Sequence, residues 1–257
     1  MMTTILCAMW ACTHEDTEDC VQGVRLHFTH LLNNQNVNLF GTKVNMVSVY
    51  IFDKDGLYLD TYTSKGIQLT NDYVMSLPLK AGTYSFIVLG GDLLTYRVGE
   101  MIDPLSNKFS VELQKGITNI KNFTYLIDDD VPSSGPLIVN NQLSDLFHGI
   151  SMDFVVPSGK IVETTIDLIK DTKRINVHII GLSNLDKYIS ELTRTSYAPY
   201  FDIYINAQNG RYTYMNDIDD TAYPLKHLFG PAVEQNDTLK VSTNVLRLMA
   251  TKDKSYL

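Results

Sequence analysis

The side chains with the most distinctive chemistry are three cysteines, Cys7, Cys12 and Cys20, all within the first 20 residues. A thiol reacts as its thiolate, so its neighbours decide its use. Cys12 closes an apolar run at residues 5–11, follows the small Ala11, and precedes Thr13-His14-Glu15-Asp16-Thr17-Glu18-Asp19. An apolar stretch, a small residue and then cysteine is the pattern of a lipobox, in which the cysteine becomes the lipid-bearing first residue of the mature chain. Met9 and Trp10 are unusual occupants before the small residue. A free thiol and a Cys12–Cys20 disulfide stand as alternatives. The apolar run suits the end of a signal-peptide core of about 7–15 residues. No Lys or Arg precedes Arg25, so the charged start of such a signal is expected upstream of Met1 and Met2.

Other reactive groups are dispersed. His27 and His30 are three apart on an expected strand, which sends them to opposite faces. His148, His178 and His227 have no partner at a local metal-ligand spacing. Asp53-Lys54-Asp55-Gly56 resembles part of a calcium loop, but Tyr62 stands where a bidentate Glu belongs, so it reads as a turn. Asn216-Asp217-Ile218-Asp219-Asp220 is a richer set of oxygen ligands, also read as a solvated turn. The nucleophile elbow, the phosphate-binding loop and the dinucleotide fingerprint are all missing. No cofactor and no metal is expected, and the chain reads as a binding or assembly module, not an enzyme.

The elements that would carry these residues are strands. Val24, Leu26 and Phe28 alternate with Arg25, His27 and Thr29, the period of a half-buried strand. Residues 44–52 and 57–63 flank an Asp-Gly turn, a hairpin signal. Two more hairpins are expected: residues 73–79 with 83–89, and 108–113 with 117–127. These seven strands suffice for one antiparallel sandwich. Residues 128–136 combine three carboxylates with Pro132, Gly135 and Pro136, the composition of a linker. Strands resume at 149–156, 160–169 and 174–180. A helix capped by Ser183 or Asn184 is expected to present Leu185, Tyr188, Ile189 and Leu192. Strands at 200–207 and 211–215 meet across Gln208-Asn209-Gly210, and residues 239–248 form the last. The expected division is a signal, lipobox and acidic tether at 1–20, an N-terminal β-sandwich at 21–130, and a C-terminal β-sandwich at 131–257.

Composition supports a globular all-β chain. Of 257 residues, 44% are apolar and 19% charged, with 15 Tyr against one Trp. The net charge is −8 and Lys and Arg form no cluster. Nucleic acid binding needs a basic patch to neutralise phosphates, so that class is set aside. Crossing a bilayer takes roughly 20 apolar residues, more than any run here supplies.

Several stretches then coincide in order. They are Cys20-Val21-Gln22-Gly23-Val24-Arg25-Leu26-His27-Phe28, residues 47–53 with Gly56, and Leu77-Pro78-Leu79-Lys80-Ala81-Gly82-Thr83-Tyr84. The second half adds Ile175-Asn176-Val177-His178-Ile179-Ile180-Gly181-Leu182, Asn209-Gly210-Arg211-Tyr212 and Leu246-Arg247-Leu248-Met249. As an ordered set, from Cys12 onward, this resembles the FimB-type fimbrial anchor and minor-subunit lipoprotein family of Bacteroidetes. The resemblance implies two tandem transthyretin-like β-sandwiches, a lipidated Cys12, and residence at the surface of the outer membrane. The partners implied are that membrane, through the lipid, and a fimbrial shaft subunit. The implied role is to anchor a filament and limit its length. Residues 15–19 resemble the acidic signal that sends such lipoproteins to the surface. Family members usually continue past the Leu246-Arg247-Leu248 segment, so a truncated chain or an open sheet edge is expected here, and an unpaired edge is a template for another strand.

Shaft subunits of such fimbriae join by strand exchange, and a subunit whose own groove stays filled ends the filament. Residues 24–30 are the expected filling strand, since Arg25 is the only Arg before or within them. A donor strand would come from the C-terminal side. Two other classes compete. A glycan-binding surface lipoprotein would use Tyr197, Tyr200, Tyr204, Tyr212, Tyr214 and Tyr223 as platforms. A hydrolase would need a site assembled from distant residues. A neighbouring shaft-subunit gene favours the anchor, and a glycan transporter pair favours the glycan binder.

Overall fold

The computed structural model describes residues 22–66, 69–104, 108–128, 135–140, 142–187, 196–219, 224–248 and 255–256. Cys7, Cys12 and Cys20 lie outside them. In chain order the elements are β1 (Gly23–Thr29), the short helix α1 (Phe40–Lys43), β2 (Met46–Phe52), β3 (Tyr58–Lys65), β4 (Val74–Leu77) and β5 (Gly82–Gly91). Then come β6 (Tyr96–Asp103), β7 (Lys108–Ser110), β8 (Phe123–Ile127), β9 (Leu137–Val139), β10 (Leu146–Val156), β11 (Ile161–Asp167) and β12 (Ile169–Lys170). The last group is β13 (Thr172–Ile180), β14 (Tyr204–Ala207), β15 (Arg211–Thr213), β16 (Leu225–Leu228), β17 (Val233–Gln235), β18 (Thr238–Leu246) and β19 (Ser255–Tyr256). The chain is all-β, its sheets mainly antiparallel and packed as sandwiches. Only β1 with β11 and β9 with β16 pair in parallel among the described strands.

The sheet ordered β12-β10-β5-β2-β3 organises the rest. Its inner strands read as continuous apolar runs because both of their faces are covered. In β2, Val47, Val49 and Ile51 enter one core, while Tyr50 and Phe52 enter a second. In β5, Phe86 and Val88 join the first core, and Ile87 and Leu89 the second. Opposite the first face lies the sheet β11-β1-β4, contributing Val24, Leu26, Phe28, Met75, Leu77 and Ile166. Opposite the second lie Phe123 and Tyr125 of β8, Tyr212 of β15 and Leu225 of β16. A third, small core holds Ile205, Ala207 and Val245.

The Asp-Gly hairpin forms as expected: β2 pairs with β3, and Asp53 Oδ1 accepts from the amides of Asp55 (2.9 Å) and Leu57 (2.8 Å). The other expected hairpins do not form. β4 pairs with β1 while β5 pairs with β2 and β10, so Lys80-Ala81-Gly82 turns the chain from one sheet to the other. β7 and β8 both pair with β6, a strand absent from the sequence reading, which separates them. β14 and β15 also fall in different sheets.

The segment at 128–136 links β8 to β9, and its residues 129–134 lie outside the described set. Beyond it the chain returns to the first core. β10 pairs with β5 along its length, around a bulge between Ser151 and Phe154, and β11 pairs with β1. Strands on either side of the expected boundary therefore share hydrogen-bonded sheets. At the expected second-half helix, residues Leu182–Lys187 form a 3₁₀ turn, held by Asp237 through the amide (2.6 Å) and hydroxyl (3.1 Å) of Ser183. Tyr188, Ile189 and Leu192 lie outside the described residues.

Candidate functional site

β1 occupies the position of most interest. Val24, Leu26 and Phe28 are at most 1% exposed, and their outward neighbours Arg25, His27 and Thr29 face solvent or one another's partners. Fully burying such side chains contributes roughly 1.5–3 kcal/mol each. Phe28 stacks on Phe40 at 5.5 Å and on Tyr73 at 6.2 Å between ring centroids. Both backbone edges are in use: residues 24–27 pair with β4, and Gly23 through Thr29 with β11. The strand begins at a glycine for a steric reason. A Cβ on Gly23 would sit 2.4 Å from the carbonyl oxygen of Leu77.

The outward row of β1 is tied to β11 by side chains as well. Arg25 Nη1 lies 3.1 Å from Glu163 Oε1, and His27 Nε2 lies 3.3 Å from Glu163 Oε2. Arg25, then His27, hold the Glu163 carboxyl below the usual carboxylate range. The Thr29 hydroxyl donates to Asp167 Oδ1 at 2.8 Å. Sequence reasoning found β1 and missed Glu163 and Asp167. The sequence gives a strand at residues 160–169 but no partner for it, and the pairing with β1 is what brings Glu163 and Asp167 to this row.

The remaining candidates separate. His27 is on the surface, whereas His30 is buried with Nδ1 2.8 Å from the Leu168 carbonyl, so the two do not converge. Burial pushes His148 and His227 down to about 4, which keeps both neutral. His148 Nε2 lies 3.0 Å from the Tyr214 carbonyl, and His227 Nε2 lies 3.4 Å from Asn209 Oδ1. Among the described residues no group of three or more His, Cys, Asp or Glu could hold a metal ion. Asn216 is buried inside a turn, and Asp219 Oδ2 accepts from Arg211 Nε at 2.8 Å. Of the tyrosines proposed as glycan platforms, Tyr212 is fully buried, Tyr204 is covered by the Lys226 ammonium at 3.6 Å, and Tyr197 donates to Asp186 at 2.8 Å. The Tyr200 ring and all of Tyr223 lie outside what is described.

A buried polar network that the sequence did not reveal joins the second core to the end of β18. Tyr125 donates to Asn216 Oδ1 at 2.7 Å, and Asn216 Nδ2 donates to Asp171 Oδ1 at 3.0 Å. Arg247 donates to the Asn216 carbonyl, and the Tyr212 hydroxyl donates to the Arg247 carbonyl at 3.0 Å. Asn209 Nδ2 donates to the Leu246 carbonyl at 2.8 Å. Burial pushes the Asp171 carboxyl up to about 6. The network fixes the chain at Leu246–Arg247.

A family model described as fimbrillin-A-associated anchor proteins Mfa1 and Mfa2 matches residues 16–256. The chain belongs to this fimbrial anchor family. Its members are structural proteins, so the chain is not an enzyme. Solved structures agree on the fold. A candidate polysaccharide-binding protein from Bacteroides thetaiotaomicron is 22% identical with a TM-score of 0.73, covering 91% of this chain and 74% of that one. A candidate adhesin from Bacteroides ovatus is 20% identical with a TM-score of 0.71, covering 90% and 70%. The fimbrial anchor protein Mfa2 from Porphyromonas gingivalis is 18% identical with a TM-score of 0.67, covering 90% and 75%. No curated protein matches the chain.

Proposed function

We propose that this anchor-family chain is an outer-membrane lipoprotein, held by a lipid on Cys12, that retains a fimbrial filament and ends its growth. The observation that carries the reading is the seat of β1. A groove that accepts a neighbour's strand must first be vacated, and β1 fills its own with three buried side chains and two paired edges. A protease directed at arginine would have to extract the Arg25–Leu26 bond from between β4 and β11, since cleavage requires the backbone to leave its ladders. The strand therefore stays, and the chain donates to a shaft subunit without taking one of its strands into the groove that β1 fills. Two or more acyl chains hold a protein stably to a bilayer, at ~0.8 kcal/mol per buried CH₂, where one chain does so only marginally.

Two measurements test this. Cys12→Ala, expressed with a complete signal peptide, is expected in the soluble fraction; pelleting with outer membranes would end the lipid assignment. Amide exchange at Leu26 and Phe28 is expected to be as slow as in the core. Exchange at loop rates would remove the capping mechanism and leave the anchoring role standing. The glycan-binding reading draws on one similar structure's description and on tyrosines of which Tyr212 is buried, Tyr204 covered by Lys226, Tyr197 hydrogen-bonded and Tyr214 packed in part against the second core, so it has less support.

A further inference from the structure

The long strand β13 stands at the edge of its sheet among the described residues. The sheet is ordered β13-β18-β17, so among the described residues β13 has one strand neighbour. It pairs with β18 without a bulge from Thr172 opposite Leu246 to Ile180 opposite Thr238. Proteins usually blunt such an edge with a short strand, a bulge, a proline, charged side chains or a covering segment. β13 has no bulge and no proline, and its exposed lysine and arginine, Lys173 and Arg174, both stand within its first three residues.

Cross-strand partners lie on the same face of a sheet. Ile175, Val177 and Ile179 stand opposite Thr243, Val241 and Leu239, the buried row of β18, and so face inward. All three are only half-buried. Beside them Leu239 and Val241 line a cleft of about 260 Å³ with Phe201, Ile203, Leu228 and Phe229. The inward row of β13 begins at exposed Lys173, opposite Val245, and is apolar from Ile175 to Ile179. Arg174, Asn176 and His178 stand opposite Asn244, Ser242 and Lys240 and face outward. Arg174 is held by neutral groups, Asn176 Oδ1 at 3.4 Å and Ser242 Oγ at 2.9 Å. This outer row carries basic residues on a chain whose net charge is −8.

We propose that β13 is a docking edge for an extended segment of a partner protein, one that alternates apolar and acidic residues. Its backbone would continue the ladder beyond β13. Its apolar side chains would extend the row of Ile175, Val177 and Ile179, and its carboxylates would face Arg174 and His178. Like charges directly opposite destabilise a pair, which disfavours a second copy of β13 and a basic segment alike. The inference takes from the anchor reading only that a partner protein exists.

The test uses full-length Cys12→Ala protein and two synthetic peptides as long as β13. One alternates valine with glutamate and the other valine with lysine. Hydrogen exchange of residues 172–180 is read with each. The glutamate peptide is expected to slow the exposed amides of β13 by about tenfold or more, as an added ladder does, and the lysine peptide to leave them unchanged. In Arg174→Glu/His178→Glu the preference is expected to reverse. Four outcomes would overturn the proposal. The amides are slow without peptide, so the chain covers its own edge; they slow with protein concentration alone, so a second copy binds; both peptides act alike; or only the edge at β3 responds. None of these touches membrane retention through Cys12 or protection of β1, so failure here is distinct from failure of the anchor reading.

Discussion

Buried ionisable residues give this fold its pH dependence, and they act in opposite directions. His148 and His227 are held near 4, below the ordinary 6.5, so as pH falls between those values the unfolded chain takes up protons that the fold excludes. Their contribution to stability is therefore full above 6.5 and is lost on acidification towards 4. Asp171 is raised from 3.8 to about 6, so the fold binds its proton more tightly and loses stability as pH rises through that window. Two groups oppose one, and the melting temperature is expected to fall on acidification from pH 6.5 to 4.5. His227 Nδ1 has no hydrogen-bond partner, so replacing this ring removes little that is paired. His227→Leu is expected to keep neutral-pH stability within about 1–2 kcal/mol, a modest core change, and to flatten the acid slope. A steeper slope in thermal melts would refute the assignment. No sequence pattern announced these residues. His148, Asp171 and Asn216 stand in three separate segments, and only the folded sheets bring the last two to 3.0 Å.

At the scale of elements, the sequence spoke most clearly where one face of a strand is wet. The alternation of β1 placed its residues inside and outside correctly, and Asp53-Lys54-Asp55-Gly56 marked its hairpin. It spoke least clearly about partners. A two-faced strand such as β5 shows only that it is buried, and a turn of Gly and Lys does not say whether the chain stays in one sheet or crosses to another. β6 was missed because Gly99 and Glu100 interrupt its apolar pattern. There a Cβ would meet the Ser110 carbonyl oxygen at 2.0 Å, so close packing of β7 demands the glycine. Cys12, the residue with the clearest chemical motif, lies outside the described structure and rests on sequence. Within β1 the expected energetics are specific. Phe28→Ala is expected to cost about 3–5 kcal/mol, the usual loss for a buried aromatic. Glu163→Gln, at an exposed pair, is expected to leave denaturant stability almost unchanged. Equal effects would mean that β1 is held by its surface and not by its core.

For the whole molecule, the sheet shared by two cores changes what a domain boundary means. Residues 128–136 have the composition of a linker, and cleavage there by a limiting protease is expected. Because β10 and β11 pair with β5 and β1, the two fragments are expected to co-elute in native gel filtration and to part only in denaturant. Fragments that separate without denaturant would show that the chain on either side folds and holds by itself.

The parallel pairing of β1 with β11 also sets how the molecule bears load. The two strands run in register from Gly23 beside Ile161 to Thr29 beside Asp167. The proposed tether would lead in at the Gly23 end, where β1 begins. From the Asp167 end the chain passes through β12 directly into β13, whose Ile175 packs on the third core. Tension between the membrane and a filament held beyond β13 would therefore pull along β1. Its hydrogen bonds to β4 and β11 would be strained together, in shear, where a perpendicular pull would open them singly from one end. A short strand used this way resists extraction collectively, so on the anchor reading proposed above the same seat that would keep the groove filled would also make the joint strongest along the axis of pull.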